Sequence, residues 1–351
     1  VINAPNLKFK IKNLKLNKNL KFKIQNYKLG DLIATRLAYG DALLALGEIN
    51  QNIVALDAEM SNSTYSEKFA KKFPERYFEM FIAEQNMMTA ALGMSKLGFI
   101  PFASTFAAFL TRGFDQLRMA QYSDPNLKIV GSHCGISIGP DGPSQMGLED
   151  ISMFRSILNS TILYPSDAVS AFKLTQIIAE NDGLFYLRTN RKETPVIYDE
   201  KEEFHIGGSK THYFNDKIQI TNDKFKKSKP KTLIIAAGVT LHEALKAQKE
   251  LAKKGIETVV LDCYSVKPLD VRSINQLTKE IKNIVVVEDH YPAGGIGEAV
   301  LSIVDHPSSI NFAHLCVRKL PRSGLPEELL RYEEIDAEAI INVVERFIVP
   351  K

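Results

Sequence analysis

Along most of this chain, segments whose apolar residues have helical spacing alternate with short apolar segments of strand character. The segment IATRLAYGDALLALGEIN at 33–50 has apolar residues at helical spacing and precedes the apolar run NIVALDAE at 52–59. Five further runs have strand character, with helix-length segments between most of them: 77–83, 99–105, 127–132, 160–166 and 184–189. Strands separated by helices predict an α/β fold with a doubly wound, mainly parallel sheet.

The pattern changes at 197–231, which is polar, rich in lysine and contains glycine. This composition predicts an exposed connection, with room for a hairpin. Beyond it, TLIIAAG, the helical LHEALKAQKELAKKG and ETVVLDC form a βαβ pattern, continued by strands at 283–289 and 311–317. We therefore predict four segments in the chain, with a second, smaller doubly wound sheet in the last: 1–30, 31–196, 197–231 and 232–351.

Charge is distributed unevenly along the 351 residues. The net charge is +3, but residues 1–30 hold eight lysines and no acidic residue, which leaves −5 for residues 31–351. A mildly acidic body makes nucleic acid a poor partner. The Lys/apolar alternation of NLKFKI, repeated at 6–11 and 19–24, predicts a flexible or edge-pairing extension rather than a membrane helix.

Composition excludes several other classes. No apolar run approaches the ~18 residues needed to cross a bilayer, and the N-terminus lacks a signal-peptide core. Three scattered cysteines, Cys134, Cys263 and Cys316, argue against a disulfide framework or a zinc site. We expect a cytoplasmic protein with no membrane partner.

The richest candidate site is the loop GSHCGISIGPDGPSQMGLED at 131–150, which holds His133, Asp141 and Gln145. It follows an apolar strand and precedes a helical segment, and ligands bind beyond the carboxyl ends of strands in open α/β sheets. The alternative is an ordinary turn with a histidine buried in the core.

Acidic and aromatic candidates lie upstream of that loop. Glu84 stands where an apolar strand gives way to a small-residue helix; a buried carboxyl group there can share a proton with a heterocycle nitrogen, whereas its ordinary role is to complement a helix N-terminus. Phe106 and Phe109 could stack on a flat ring or simply pack in the core.

Three arginines are candidates for binding an anion. Arg36 lies at the start of the first helix, and Arg188 and Arg191 follow the apolar residues LFYL of a predicted strand. A guanidinium beyond a strand's carboxyl end can clamp phosphate, although single arginines are more often surface charges. The segment AGGIGEAV at 293–300 is a weak dinucleotide pattern, and close packing of a helix N-terminus explains its glycines better.

Nine segments, in order, resemble transketolase, specifically the second and third domains of the animal-like form: YKLGDLIATRLAYGDAL, DAEMSNSTYSEKF, FIAEQNMMTAALG, PFASTFAAFLTRGFDQLRMA, SHCGISIGPDGPSQMGLEDISMFRS, YPSD, VTLHEAL, VEDHYPAGGIGEAV and LPRSG. The resemblance runs from about Tyr27 to the C-terminus. It implies a pyrimidine-binding domain and a C-terminal domain, dependence on thiamine diphosphate, and transfer of a two-carbon ketol unit between sugar phosphates of the pentose phosphate pathway.

The resemblance also assigns roles to individual residues. Glu84 matches the glutamate that contacts the aminopyrimidine nitrogen of the coenzyme. Phe106, Phe109 and Gln145 match further contacts to the coenzyme. Substrate contacts fall into two groups: His133 and Asp141 match residues that bind sugar hydroxyls, and Arg36, Ser63 and Arg191 match the sugar-phosphate clamp.

One family feature is missing. The family's GDG motif, which holds the diphosphate and a divalent cation such as Mg²⁺, occurs nowhere in this chain. We expect either a fragment or one subunit of a split transketolase. A partner N-terminal half would then supply the metal site, and two copies of each chain would assemble with each coenzyme between unlike subunits.

Three alternatives compete with this interpretation. The beta subunit of a 2-oxo acid dehydrogenase, or deoxyxylulose phosphate synthase, is expected to share the fold and the glutamate, but SHCGISIG, DGPSQM and NSTYSE favour transketolase. A non-catalytic assembly homologue would keep only the dimer surface. A nicotinamide oxidoreductase would require dinucleotide binding at AGGIGEAV.

Overall fold

A computed structural model of the chain describes residues 27–214, 230–305, 308 and 310–348. The strands are β1 Leu32–Ala34, β2 Ile53–Asp57, β3 Tyr77–Glu79, β4 Ile100–Phe106, β5 Leu127–Ser132, β6 Ser160–Leu163, β7 Leu184–Arg188, β8 Glu193–Pro195, β9 Lys210–Tyr213, β10 Thr232–Ala236, β11 Thr258–Asp262, β12 Ser265–Lys267, β13 Asn283–Val287 and β14 Asn311–Leu315. The helices are α1 Thr35–Ile49, α2 Ser61–Thr64, α3 Glu67–Lys72, α4 Glu84–Lys96, α5 Phe114–Ala120, α6 Asp150–Ser156, α7 Ala168–Glu180, α8 Val239–Lys253, α9 Val271–Glu280, α10 Ile296–Leu301, α11 Pro326–Tyr332 and α12 Ala337–Ile348.

The first sheet has seven strands in the order β12-β6-β7-β5-β4-β2-β3. All neighbours are parallel except β12, which runs antiparallel to β6. Strand β2 is buried along its whole length, as expected of a parallel strand covered on both faces. The predicted doubly wound, mainly parallel α/β sheet is confirmed.

The second sheet has the order β14-β13-β10-β11-β9. Its first four strands are parallel, and β9 pairs antiparallel with β11. The predicted second α/β unit is therefore also confirmed. The two sheets are not separate, because β12 follows β11 in the chain but adds an edge strand to the first sheet.

The segment predicted as an exposed polar connection is partly structured. Tyr198 and Phe204 are buried against the first sheet's core, and β9 joins the second sheet. These aromatic residues anchor the segment, but they are separated by charged residues. The overall polar composition of 197–231 therefore gave no sign that any part of the segment is buried. Residues 215–229 of this segment and residues 1–26 of the basic extension lie outside the described residues.

Register in the first sheet brings the candidate residues together. Phe106 at the end of β4 stands opposite Ser132 at the end of β5, and Gly131 stands opposite Arg188 at the end of β7. The carboxyl ends of three neighbouring strands therefore meet at one edge. No helix within the described part of the chain has the length and apolarity needed to span a lipid bilayer.

Candidate active site

Glu84 is the first residue of α4 and is only 3% exposed. The strand predicted over 77–83 ends at Glu79, and the turn that follows exposes Phe81 and Ile82 while turning Glu84 inward. Glu84 lines an open cavity of about 420 Å³ together with Ile82, Ala83, Gln85, Asn86 and Arg112. A buried carboxyl group on a residue that lines a cavity is a candidate contact for a polar atom of a ligand.

Arg112 is the partner of that carboxyl group. Its Nη1 donates to Oε1 of Glu84, and its guanidinium carbon lies 4.6 Å from the centre of the Phe109 ring. The sequence interpretation missed Arg112. Its spacing from Phe109 could have indicated it. Arg112 lies three residues after Phe109 in a short 3₁₀ helix, Ala107–Gly113, and residues three apart lie on the same side of a 3₁₀ helix.

Aromatic rings stack next to this pair. The His133 and Phe106 ring centres are 3.8 Å apart at 19°, and Phe106 and Phe109 are 5.3 Å apart at 18°. Phe106 is 4% exposed, so its ring is largely covered by its neighbours. Phe109 is half-buried and therefore offers the more accessible ring for a ligand.

His133 is buried, and its backbone has φ 57°, in the left-handed region. Its Nδ1 lies 2.9 Å from the Ser132 hydroxyl. Burial, together with the nearby positive charges of Arg36 and Arg191, lowers the pKa of His133 to about 3. The imidazole is therefore neutral near pH 7, with one nitrogen able to donate a hydrogen bond and the other able to accept one.

Two arginines face the same region from different elements. Arg36 in α1 donates from Nη1 to the Ser63 carbonyl at 2.7 Å, and Arg191 pairs with Asp141 at 3.1 Å. Burial lowers the pKa of Arg36, and Arg191 adds to the shift. Within the described structure, the buried Nε of Arg36 has no hydrogen-bond partner. Two neighbouring guanidinium groups with a spare donor are well suited to an anion.

Gln145 lies half-buried in a short 3₁₀ helix, Pro143–Gln145, within the 133–147 loop. The loop is closed by backbone hydrogen bonds from Gly135 to Gly147, 2.8 Å, and from Gly147 to His133, 3.3 Å. Gly147 also packs against Ala107, so the loop rests on the segment that carries Phe109. The structure thus brings eight of the nine predicted site residues to one edge of the sheet: Arg36, Glu84, Phe106, Phe109, His133, Asp141, Gln145 and Arg191. The ninth, Ser63, contacts this group through its backbone carbonyl, which accepts from Arg36.

Arg188 does not belong to this group, so its prediction as an anion clamp is wrong. Its side chain is fully buried; Nε donates to Asp150 and Nη1 to Asp289, each at 2.7 Å. Although burial opposes it, Arg188 holds the pKa of Asp150 below its usual value. Both carboxylates come from distant parts of the chain, and they neutralise the guanidinium between the two sheets.

The AGGIGEAV segment begins α10, and its amides are already engaged. The Glu288 carboxylate accepts hydrogen bonds from Ile296 N at 2.6 Å and Gly297 N at 2.9 Å. A protein carboxylate thus satisfies the amides that a dinucleotide phosphate would use. The glycines serve close packing here, because a Cβ at Gly297 would lie 2.4 Å from the His314 ring.

Comparison with known proteins gives consistent matches along the chain. The family model described as transketolase, pyrimidine binding domain matches residues 31–196, and that described as transketolase, C-terminal domain matches residues 223–340. Human transketolase is 48% identical over 317 residues, which are 90% of this chain and 49% of the human protein. Transketolase-like protein 1 of Bos taurus is 48% identical over 91% of this chain and 52% of its own length. The chain spans about half the length of these curated relatives.

Two solved structures share the fold. A split-gene transketolase, described as an inactive β4 tetramer, has a TM-score of 0.77 and 33% identity over 90% of this chain and 97% of its own. Transketolase from Campylobacter jejuni has a TM-score of 0.77 and 19% identity over 94% of this chain and 49% of its own, a likeness of fold alone.

Proposed function

The chain belongs to the transketolase family, and from that membership we propose that it supplies the coenzyme-ring and sugar-phosphate half of a transketolase. The reaction moves a two-carbon ketol unit from a ketose phosphate to an aldose phosphate. One observation carries the proposal: Glu84 has a buried side chain and lines a cavity with Arg112, whose guanidinium lies over Phe109, at the same sheet edge as Arg36 and Arg191.

The residues present fit the ring end of thiamine diphosphate. Glu84 offers a carboxyl group sheltered from water, Phe109 offers a partly accessible ring, and Gln145 lies half-buried in the adjoining loop. When bound, the coenzyme supplies the carbanion sink that cleavage beside a carbonyl requires. Glu84 is proposed to hold a proton at the pyrimidine nitrogen, while Phe106 supports Phe109 from behind.

Substrate binding is proposed to fall to two groups of side chains. Neutral His133 and Asp141 would hydrogen-bond to sugar hydroxyls, since a neutral imidazole both donates and accepts. Arg36, Ser63 and Arg191 would hold the phosphate at the far end of the sugar. Among the residues that the structure describes, Arg36 Nε has no hydrogen-bond partner, and the two guanidinium groups repel each other. Both features support this role, because a bound phosphate relieves both.

We propose that the diphosphate and Mg²⁺, or a similar divalent cation, are held by a second, N-terminal half. The absence of a GDG motif from the sequence and the half-length match to the curated relatives support this division. We further propose two copies of each half per assembly, with each coenzyme between unlike halves. The cytoplasmic location expected from the sequence stays a prediction, and we propose a place in the pentose phosphate pathway from the family resemblance.

The first test is ketol transfer by the assembled protein that contains both halves, with thiamine diphosphate and Mg²⁺ present. Glu84→Gln is expected to lower turnover at least ~100-fold with the fold intact, because removing a positioned proton donor costs that order of rate. Exposed Glu75→Gln is the matched control and should retain activity. Near-normal transfer by Glu84→Gln would overturn the assignment.

A second test separates the alternatives. Arg191→Gln is expected to raise KM for the sugar phosphate about tenfold or more while leaving coenzyme binding unchanged, since a charged hydrogen bond to phosphate is lost. Turnover of pyruvate instead of sugar phosphates would favour a 2-oxo acid dehydrogenase or deoxyxylulose phosphate synthase. An assembly that forms with saturating coenzyme and intact Glu84 but shows no transfer would favour the non-catalytic homologue.

A further inference from the structure

Arg112 touches both groups that the proposed coenzyme ring has to touch. Its Nη1 donates to Glu84, and its guanidinium lies 4.6 Å from the centre of the Phe109 ring. A planar group that contacts the carboxyl group and the aromatic ring at the same time occupies the space between them. The guanidinium is planar and stacks on aromatic rings, so it engages the same two groups that we propose to contact a pyrimidine. It donates to the Glu84 carboxylate, whereas the pyrimidine nitrogen would accept a proton from the carboxyl group.

We propose that Arg112 is a displaceable gate residue of the coenzyme-ring site, an inference that rests on the function proposed above. In the gate-closed arrangement, the guanidinium contacts both the Glu84 carboxyl group and the Phe109 ring, the two groups that we propose to contact the coenzyme ring. Binding of the aminopyrimidine requires it to leave both Glu84 and Phe109. The apparent affinity for the coenzyme is then lower than the intrinsic affinity of the open site.

The environment of the two side chains favours such an exchange. The Glu84 side chain is 4% exposed, whereas that of Arg112 is 50% exposed. A buried carboxylate without a partner is costly, so the contact with Arg112 protects the site. The arginine can move into solvent, where its charge is well hydrated, and the coenzyme ring then replaces it as the partner of Glu84.

The gate also explains why a half-site would remain stable before the two halves meet. The ring position lies at an open cavity whose rim includes Ile82, which is 71% exposed. Arg112 covers the ring of Phe109 and pairs the buried charge without help from another chain. Assembly of the two halves and binding of the coenzyme would then both contribute to displacing the Arg112 side chain.

The test is equilibrium binding of thiamine diphosphate by the assembled protein that contains both halves. Arg112→Ala is expected to tighten binding about three- to tenfold, because no competing group has to be displaced. Arg118→Ala is the matched control: its side chain is 48% exposed and pairs with Asp115, three residues away, in the neighbouring helix α5. That variant should bind the coenzyme as the unmodified protein does.

Thermal unfolding of the full chain gives a readout that does not depend on activity. Arg112→Ala should lower Tm by about 2–4 °C, since Glu84 loses its partner, and adding Glu84→Gln should recover much of the loss. Arg112→Lys keeps a positive charge but cannot stack as a planar group on Phe109. Its affinity for the coenzyme should therefore lie between those of the unmodified protein and Arg112→Ala. This variant is available if Arg112→Ala does not fold.

The outcomes separate the two proposals. Weaker binding by Arg112→Ala would mean that the arginine holds the coenzyme rather than excluding it, and unchanged binding would mean that it does neither; both overturn the gate while leaving the transketolase assignment in place. Failure of the unmodified assembly to bind thiamine diphosphate would overturn the proposed function and the gate together.

Discussion

His133 shows how a single residue combines backbone and electrostatic constraints. Its φ of 57° suits few side chains, and its ring is buried against Phe106. Burial and the charges of Arg36 and Arg191 lower its pKa to about 3, against about 6.5 in the unfolded chain. The unfolded state therefore binds the proton more readily, and stability falls as the pH drops from about 6.5 towards 3.

We predict that His133→Asn flattens this part of the pH dependence. Asn tolerates the left-handed backbone but has no titrating group. Between pH 7 and pH 5 the unmodified chain should lose about 2 kcal/mol more stability than the variant. Urea unfolding at several pH values measures the difference, with exposed His205→Asn as the control. Parallel pH profiles for the His133 variant and the unmodified chain would contradict the predicted burial effect.

Individual residues differ in how far the sequence could reveal them. Glu84, Phe109 and His133 stand at junctions between strands, loops and helices, where a motif is visible in the linear sequence. Arg112 was missed because its importance depends on reaching back 28 residues to Glu84. Arg188 was misassigned because its neutralising partner Asp289 is 101 residues away.

At the scale of elements, the 133–147 loop depends on close contact with the 3₁₀ helix over Ala107–Gly113. A Cβ at Gly147 would lie only 2.4 Å from the Ala107 Cβ, so the two segments cannot both keep their positions if a methyl group is added. The loop carries His133 and Asp141, and the 3₁₀ helix carries Phe109 and Arg112. Their separation therefore sets the distance between the proposed sugar and coenzyme contacts.

We predict that Gly147→Ala lowers stability by about 1–3 kcal/mol, because overpacking forces the backbone to shift. It should also raise KM for the sugar phosphate in the assembled protein. Gly93→Ala is the control. This glycine lies within α4, and apart from the helix's own backbone no atom of the described residues lies within 4 Å of the added Cβ, so helix propensity should raise stability by up to about 1 kcal/mol. Equal effects of the two substitutions on stability and KM would contradict the contact.

Regular elements were more predictable than their pairing. The strand predicted at 127–132 is β5, residue for residue, and the helix predicted at 33–50 is observed as Thr35–Ile49. By contrast, β9 and β12 are short. The sequence allowed a hairpin somewhere in 197–231, the segment that contains β9, and predicted no strand at β12. Each exists because a distant strand, β11 or β6, offers an edge to pair with. Local periodicity does not encode such partners.

At the scale of the whole molecule, the two large sheets are joined by packing contacts and by a strand, as well as by the chain that connects them. One apolar cluster includes Ile162 and Tyr186 of the first sheet and Ile235 of the second. Strand β12 crosses between the sheets, and Arg188 links Asp150 on one side to Asp289 on the other. The predicted boundaries at 196/197 and 231/232 mark changes of composition, whereas the physical connection between the sheets extends across both.

The Arg188 network is where coupling between the sheets can be measured. Replacing Arg188 by Met leaves two buried carboxylates facing each other without a cation. Breaking a buried pair in this way costs about 3–5 kcal/mol. Asp150 begins α6, which follows β5 of the first sheet in the chain, whereas Asp289 follows β13 of the second sheet. The loss should therefore fall on the contact between the two units as well as on the local packing.

We therefore predict that Arg188→Met lowers the urea midpoint and splits a single unfolding transition into two, as the units lose their mutual support. The triple substitution Arg188→Met, Asp150→Asn and Asp289→Asn should recover much of the midpoint, since no buried charge is then left unpaired. Arg155→Met, whose side chain is half-buried and donates to the Gly295 carbonyl, is the control for losing an arginine between the units. If Arg188→Met unfolds in one transition at the midpoint of the unmodified chain, the network does not hold the sheets together, and shared apolar burial alone must do so.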